Sequence, residues 1–279
     1  MSDKVAQIIP FMHPYKIGTP AKMLFDVPRN RYYDTILMQC RDQVCADIGF
    51  GTGILTAIAL YHGAKHVYAY EEDPGTFAMG KEMLELMGFG DRVTCILEKY
   101  KPGKTKETIA FHEIVDCNLW NEGIAASLES VKHHGITLLP GRVYCKIHYM
   151  AMSDKLIKVK DAIKLTGLSY MDKIYLKALK KSITSDKFTS YDNYADDELE
   201  SEMQIGSYMI DLNKDEIPRY IKQRIDISIP KDSLVFCEYY LGEFRLNDGC
   251  WRRDKAVHVH EKGFYTFIQD TVDGSWWLE

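Results

Sequence analysis

Val44-Cys45-Ala46-Asp47-Ile48-Gly49-Phe50-Gly51-Thr52-Gly53-Ile54-Leu55 decides the fold. A short apolar run breaks into three alternate glycines and resumes as an apolar, helix-compatible segment. This reads as a buried strand, a tight turn and a helix start. Without Cβ atoms such a turn takes unusual backbone dihedrals and lets a ligand lie against the chain, with the N–H groups of the following helix facing it. Three glycines of this kind also occur in ordinary loops, so the flanking sequence has to decide.

Working outward, Leu55 to Tyr61 fits a helix ending near Gly63, and His66-Val67-Tyr68-Ala69-Tyr70 reads as a second strand. Phe77 to Met87, with Met79, Met83, Leu84 and Met87 at helical spacing, forms a second crossover helix closed by Gly88. Val93–Leu97 is a third strand, and Thr108–His112 a fourth, reached after the Lys101–Lys106 loop. Strands alternating with helices in this way specify a doubly wound, Rossmann-like parallel sheet, an α/β fold. Upstream, Pro10, Pro14, Gly18 and Pro20 break residues 1–20, and Pro28 suits the first turn of a helix. Downstream, Ile124 to His133 looks helical, and residues 205–279 alternate apolar and polar in short pieces: Ile225–Ile229, Leu234–Tyr240 and Phe264–Ile268. Pro230, Asn247-Asp248-Gly249 and Asp273-Gly274 separate them, which is antiparallel strand chemistry with hairpin turns.

The chain has 279 residues, 46% hydrophobic and 27% charged, room for one large domain or two modest ones. A formal net charge of −5 argues against a dedicated nucleic-acid surface. Seven cysteines are scattered singly with no C-x-x-C pair, which suits free thiols in a reducing, cytoplasmic compartment. No run approaches the ~18 apolar residues of a membrane span, so no membrane partner is expected. His258 and His260 share one face of a strand with no third ligand nearby, so no metal site is expected either. The acidic run Asp196–Glu202 reads as a solvated loop or helix edge.

Glu71 stands 18 residues after Gly53, at the end of the second strand, where a carboxylate accepts hydrogen bonds from ribose hydroxyls. Glu72 and Asp73 beside it leave the choice of carboxylate open. The third glycine comes one place earlier than in the dinucleotide fingerprint, which disfavours a pyrophosphate ligand and suits S-adenosylmethionine better. From Asp47 to Glu71 the sequence resembles the class I S-adenosylmethionine-dependent methyltransferases. More narrowly, Met23-Leu24-Phe25-Asp26-Val27-Pro28-Arg29 with Tyr32 and Tyr33 resembles the segment ahead of the sheet in the protein arginine methyltransferase family. The resemblance implies that Arg29 holds the cofactor's carboxylate, that Met23 lies near its sulfonium, and that Glu71 binds the ribose. Asp47, Gly49, Gly51 and Gly53 would form the floor of the site, with S-adenosylhomocysteine as product. Glu98 is the nearest counterpart of the family's adenine-reading acid, although a gapless alignment puts Lys101 there.

The reaction-bearing stretch is Phe111-His112-Glu113-Ile114-Val115-Asp116-Cys117-Asn118-Leu119-Trp120-Asn121-Glu122-Gly123. Glu122 follows Glu113 by nine residues, the spacing of the two glutamates in the arginine methyltransferases' substrate loop. Two carboxylates brought together repel one another, and a planar, cationic guanidinium relieves both. The resemblance implies that the pair clamps a substrate arginine. Ile114, Val115 and Asp116 replace the family's aromatic, methionine and glycine. The family's Thr-His-Trp loop is absent; Gly249-Cys250-Trp251 is its positional counterpart, which keeps an aromatic wall in Trp251 and loses the histidine partner of Asp26.

The expected organisation is an N-terminal segment (1–20), a cofactor-binding domain (21–139) and a mainly antiparallel, β-barrel-like substrate domain (140–279). The lysine-rich stretch at about 155–190 stands where the family inserts a helical arm, which the resemblance implies would mediate a homodimer; a basic solvated helix, or lysines that meet an acidic substrate, stay open as alternatives. The expected activity is methyl transfer to an arginine of a protein or peptide. Two alternatives stay open: methylation of another cationic or small nucleophile, and a binding or scaffold subunit without catalysis.

Overall fold

In a computed structural model, the structure describes residues 27–115, 119–120, 123–128, 131–151, 203–231, 233–246, 257–259 and 261–279. The chain enters through helix α1 (Val27–Ile36), with Pro28 in its first turn, and a 3₁₀ turn, Leu37–Cys40. The glycine stretch then unfolds as read: strand β1 (Val44–Ile48), the turn, and helix α2 (Ile54–Tyr61). Strand β2 (His66–Glu71) leads into α3 (Pro74–Leu86). That helix starts three residues before Phe77, because Asp73 caps it, accepting from the Thr76 N–H at 2.7 Å, and Pro74 occupies its first position. Strands β3 (Val93–Leu97) and β4 (Ile109–His112) follow. Helix α4 (Ile124–Leu128) is shorter than expected and gives way to a 3₁₀ turn, Lys132–His134. Strand β5 (Thr137–Leu139) completes a five-stranded parallel sheet ordered β3-β2-β1-β4-β5.

β1 is the centre of that sheet. It pairs with β2 from Val44↔His66 to Ile48↔Tyr70, and with β4 from Cys45↔Ile109 to Ile48↔His112. Its burial on both faces explains the continuous apolar run. The chain leaves β1 for opposite sides, and this reversal opens a crevice beyond the carboxyl ends of β1 and β4.

A cis peptide bond joins Leu139 to Pro140. After it, β6 (Arg142–Ala151), β7 (Met203–Asp211), β8 (Tyr220–Arg224), β9 (Ser233–Leu241), β10 (Phe244–Arg245), β11 (Val257–Val259), β12 (Thr266–Asp270) and β13 (Trp276–Leu278) build two antiparallel sheets. One runs β10-β9-β6-β7, with β11 also on β9, and the other runs β13-β12-β8. Two expected strands are corrected. Ile225–Ile229 is not a strand: Ile225 and Ile229 are buried and Ile227 exposed, but the segment makes only one isolated bridge, Ile229↔Gly263. Its apolar alternation is matched neither by burial nor by a ladder, and the pairing strand is Tyr220–Arg224 just before it. The strand expected at 264–268 lies two residues later, where pairing with β8 sets its register.

Helix α1 bridges the two halves. Tyr33 is fully buried and its hydroxyl donates to the His112 carbonyl at 2.8 Å. Tyr32 points the other way and stacks on Phe244 at 5.9 Å between ring centroids. Its hydroxyl lies so close to Gly242 that a Cβ there would fall 1.8 Å from it. One hydrophobic core, including Tyr33, Phe111, Trp120, Val143, Tyr239 and Phe267, runs through both halves. Among the described residues no helix is long and apolar enough to cross a membrane.

Candidate functional site

The glycine turn closes the carboxyl end of β1. Gly49, Gly51 and Gly53 all have positive φ, at 75°, 53° and 79°. The N–H groups of Gly49 and Phe50 donate to the Tyr70 carbonyl, each at 2.9 Å. The Gly51 N–H donates to Glu71 Oε2 at 3.2 Å, and Glu71 Oε1 accepts from the Asp73 N–H at 3.0 Å. Glu71, rather than its neighbours Glu72 and Asp73, therefore faces the turn.

Close packing holds the turn from behind. A Cβ on Gly53 would lie 2.8 Å from Leu84 Cγ. One on Gly80, in the middle of α3, would lie 2.1 Å from the Gly51 carbonyl oxygen. Gly80 escaped the sequence reading, although a signal was there. A mid-helix glycine costs about 1 kcal/mol against alanine, so its presence marks a close approach.

Asp47 lies beneath the turn. It is fully buried; Oδ2 accepts from the Thr56 hydroxyl at 2.6 Å, and Oδ1 has no hydrogen-bond partner. Its carboxylate thus holds the first turn of α2. Burial pushes its pKa up to about 7, against the hydrogen bonds from Thr56 and with help from the charge of Glu71. The folded value lies above the unfolded one, so the native state holds a proton that the unfolded state releases near pH 4. That contribution to stability is complete below the unfolded pKa and is lost as pH rises through about 7. Asp47→Asn abolishes this dependence. Urea melts of both proteins between pH 4 and 8 are expected to show the wild type losing roughly 3 kcal/mol relative to the variant as pH rises. Parallel pH profiles would rule out a buried, proton-holding Asp47.

Beside the turn lies a cleft of about 120 Å³ lined by Gly49, Glu71, Glu98, Tyr100, Ile114 and Ser127. Glu98, not Lys101, reaches it, and its carboxylate is held by Lys104 Nζ at 2.7 and 2.9 Å. Ile114 forms part of the wall, so the substitution noted after Glu113 faces the cleft directly.

Beyond β4 stands the most strongly held charge pair of the site. The Nε and Nη2 groups of Arg29 donate to the two carboxylate oxygens of Glu113. The side chains are 2% and 5% exposed, so the pair is desolvated. Arg29 Nη1 donates to Asn30 Oδ1 at 2.7 Å, and the guanidinium lies 5.4 Å from the Tyr33 ring centroid. Arg29 therefore grips a carboxylate bidentately, as its chemistry predicts, but that carboxylate belongs to Glu113. Behind it, His112 is fully buried, its Nε2 3.2 Å from the Pro140 carbonyl, and burial lowers its pKa to about 4, which keeps the ring neutral. Arg29, Asp47, the three glycines, Glu71 and Glu113 thus converge on one end of the sheet, with Glu98 at the cleft rim. Met23, Asp26, Glu122, Trp251 and the segment expected to form the arm lie outside the described residues.

No family model matches the chain. Protein arginine N-methyltransferase 1 of Saccharomyces cerevisiae is 30% identical over 152 residues, covering 50% of this chain and 43% of that protein. Protein arginine N-methyltransferase 2 of Dictyostelium discoideum is 28% identical over 224 residues, covering 76% of this chain and 40% of that protein. The chain thus spans less than half the length of these curated relatives. In fold it is similar to a crystal structure of PRMT6, with a TM-score of 0.67 at 14% identity, covering 92% of this chain and 97% of the other. A Trypanosoma brucei PRMT1 enzyme–prozyme heterotetramer with AdoHcy gives a TM-score of 0.56 at 16% identity, covering 91% and 87%. In sequence as in fold, a parallel Rossmann-like sheet followed by antiparallel sheets, the chain resembles the protein arginine methyltransferase family.

Proposed function

We propose that this chain transfers a methyl group from S-adenosylmethionine to a guanidinium nitrogen of arginine in a protein or peptide. The carrying observation is the placement of Glu113, a desolvated carboxylate held bidentately by Arg29 where the crevice opens beside the glycine turn. A carboxylate has about four lone-pair sites, so one that is gripped by Arg29 retains capacity for a second guanidinium.

The residues present fit the cofactor. A turn with three positive-φ glycines has no Cβ on its ligand side: one added at Gly49 meets nothing within 4 Å. Glu71 supplies the acceptor for ribose hydroxyls, and Ile114 with Tyr100 supplies apolar cleft wall. When bound, the cofactor supplies a methyl group on a positively charged sulfur, which keeps the bonding electron pair and becomes a neutral thioether as the methyl bonds to nitrogen. Glu113 and Glu122 hold the acceptor nitrogen in line and draw positive charge away from it. They also offer acceptors for the proton the nitrogen loses.

Calorimetry should detect S-adenosylmethionine binding to the wild type, and labelled methyl groups should appear on arginine-rich peptides. Glu122→Gln is expected to retain cofactor affinity and lose at least ~10²-fold in kcat, the scale of removing one charge-stabilising group. Absence of cofactor binding would sink any methyltransferase reading, and labelling unchanged by Glu122→Gln would remove the guanidinium clamp. The five described cysteines are free thiols, in keeping with a cytoplasmic site of action. Self-association through residues 155–190 belongs to the same reading.

A further inference from the structure

Trp120 lies in the loop that leaves Glu113 and stands two residues before Glu122 in the sequence. Its side chain is fully buried and its indole N–H donates to the Tyr208 hydroxyl, on β7, at 2.9 Å. Tyr208 in turn donates to Gln269 Oε1, on β12, at 2.6 Å. Gln269 Nε2 donates to the Tyr239 hydroxyl, on β9, at 3.0 Å and to the Gly274 carbonyl at 3.1 Å. Gln269 and Tyr239 are fully buried as well. A hydrogen-bonded chain through strands of both antiparallel sheets therefore ends on one indole that belongs to the parallel-sheet half.

A phenylalanine would keep an apolar ring there, though a smaller one, but only an indole supplies an N–H that needs a partner at one definite place. The Trp120 indole, the Tyr208 hydroxyl and the Gln269 amide each donate to a definite acceptor, and a buried network whose donors are met in this way specifies one geometry. The residue before Trp120 points the same way. Leu119 is fully buried with φ at +73°, a left-handed conformation that costs a side-chain-bearing residue free energy and persists only where the surroundings over-determine it.

We infer that Tyr208 and Gln269 are positioning residues, which fix the loop after Glu113 through the Trp120 indole and so align the acceptor nitrogen. The alignment part rests on the proposed methyl transfer; the anchoring part does not. An anchor at Trp120 reduces to two residues the stretch of chain that must place Glu122.

Tyr208→Phe removes one hydroxyl and little volume. Hydrogen exchange followed by mass spectrometry should show amides of the 113–128 segment exchanging roughly tenfold faster in this variant, with β1 and β2 unchanged. For an arginine-bearing peptide, kcat should fall roughly tenfold while the KM and Kd for S-adenosylmethionine stay at wild-type values. Trp120→Phe should reproduce both effects, and the double variant should be no worse than the worse single one, because the Trp120–Tyr208 bond is already lost in each. Unchanged exchange in 113–128, or additive effects in the double variant, would overturn the anchor. Faster exchange with unchanged kcat would overturn the alignment role. A wild type that methylates no arginine peptide would defeat the proposed function instead, and the exchange measurements would still decide the anchor. Should Tyr208→Phe fold poorly, Gln269→Leu tests the same chain from its far side by the same readouts.

Discussion

Glu113→Gln is expected to lose about 10³-fold in methyl transfer to arginine peptides and to unfold with roughly 3–5 kcal/mol less stability. The stability loss follows from burial. Arg29 and Glu113 are almost entirely removed from water, and a glutamine in place of the carboxylate leaves the Arg29 charge desolvated without its counter-ion. Under the proposed methyl transfer the catalytic loss has a separate cause, since a neutral amide would no longer draw charge from the acceptor nitrogen. The double variant Arg29→Met/Glu113→Gln separates the two. Removing both charges together should return most of the stability, because a buried pair contributes little net free energy, while activity stays lost. Chemical denaturation alongside single-turnover assays measures both. Full stability in Glu113→Gln alone would show that the pair is hydrated in solution.

Gly80→Ala is expected to lower the affinity for S-adenosylmethionine at least tenfold and to destabilise the fold by roughly 1–3 kcal/mol, the scale of overpacking. Helix propensity alone predicts the reverse, since alanine in a helix interior is favoured over glycine by about 1 kcal/mol. The sign therefore reports the contact. The added Cβ would sit 2.1 Å from the Gly51 carbonyl oxygen and 2.6 Å from the Phe50 ring, and a backbone atom cannot swing aside as a flexible side chain can. Either α3 moves off the sheet or the glycine turn shifts toward the cleft. Thermal melts and calorimetry of the variant check both effects, and a stabilised protein with intact cofactor binding would show that α3 sits farther from the turn.

What could be read from the sequence was local. β1, β3 and the glycine turn fall where apolar runs and breaks place them: β1, buried on both faces, leaves a continuous apolar run, and β3, a half-buried edge strand, still stands out as an apolar run between Arg92 and Glu98. The start of α3 was also legible in Asp73-Pro74, a cap followed by a first-turn proline, but the methionine spacing further on drew the boundary to Phe77. Ile225–Ile229 misled because apolar and polar residues alternate in the sequence, yet the middle isoleucine, Ile227, is exposed and no neighbouring strand forms a ladder with the segment. The pairing of Arg29 with Glu113 joins residues 84 apart, and the Trp120–Tyr208 bond joins residues 88 apart. Neither leaves a periodic trace. Arg29 illustrates the limit: its bidentate chemistry was predictable, and the carboxylate it meets was not.

Helix α1 carries a consequence for how the molecule comes apart. Tyr33 is fastened to the last residue of β4 and Tyr32 to the β9–β10 hairpin, so a single turn of helix splints the parallel sheet to the antiparallel ones. With the hydrophobic core also continuous across the junction, neither half can melt without exposing a face of the other. The two halves thus form one cooperative unit, and thermal damage to the antiparallel sheets, however far from the glycine turn, reaches Glu113 in the same step.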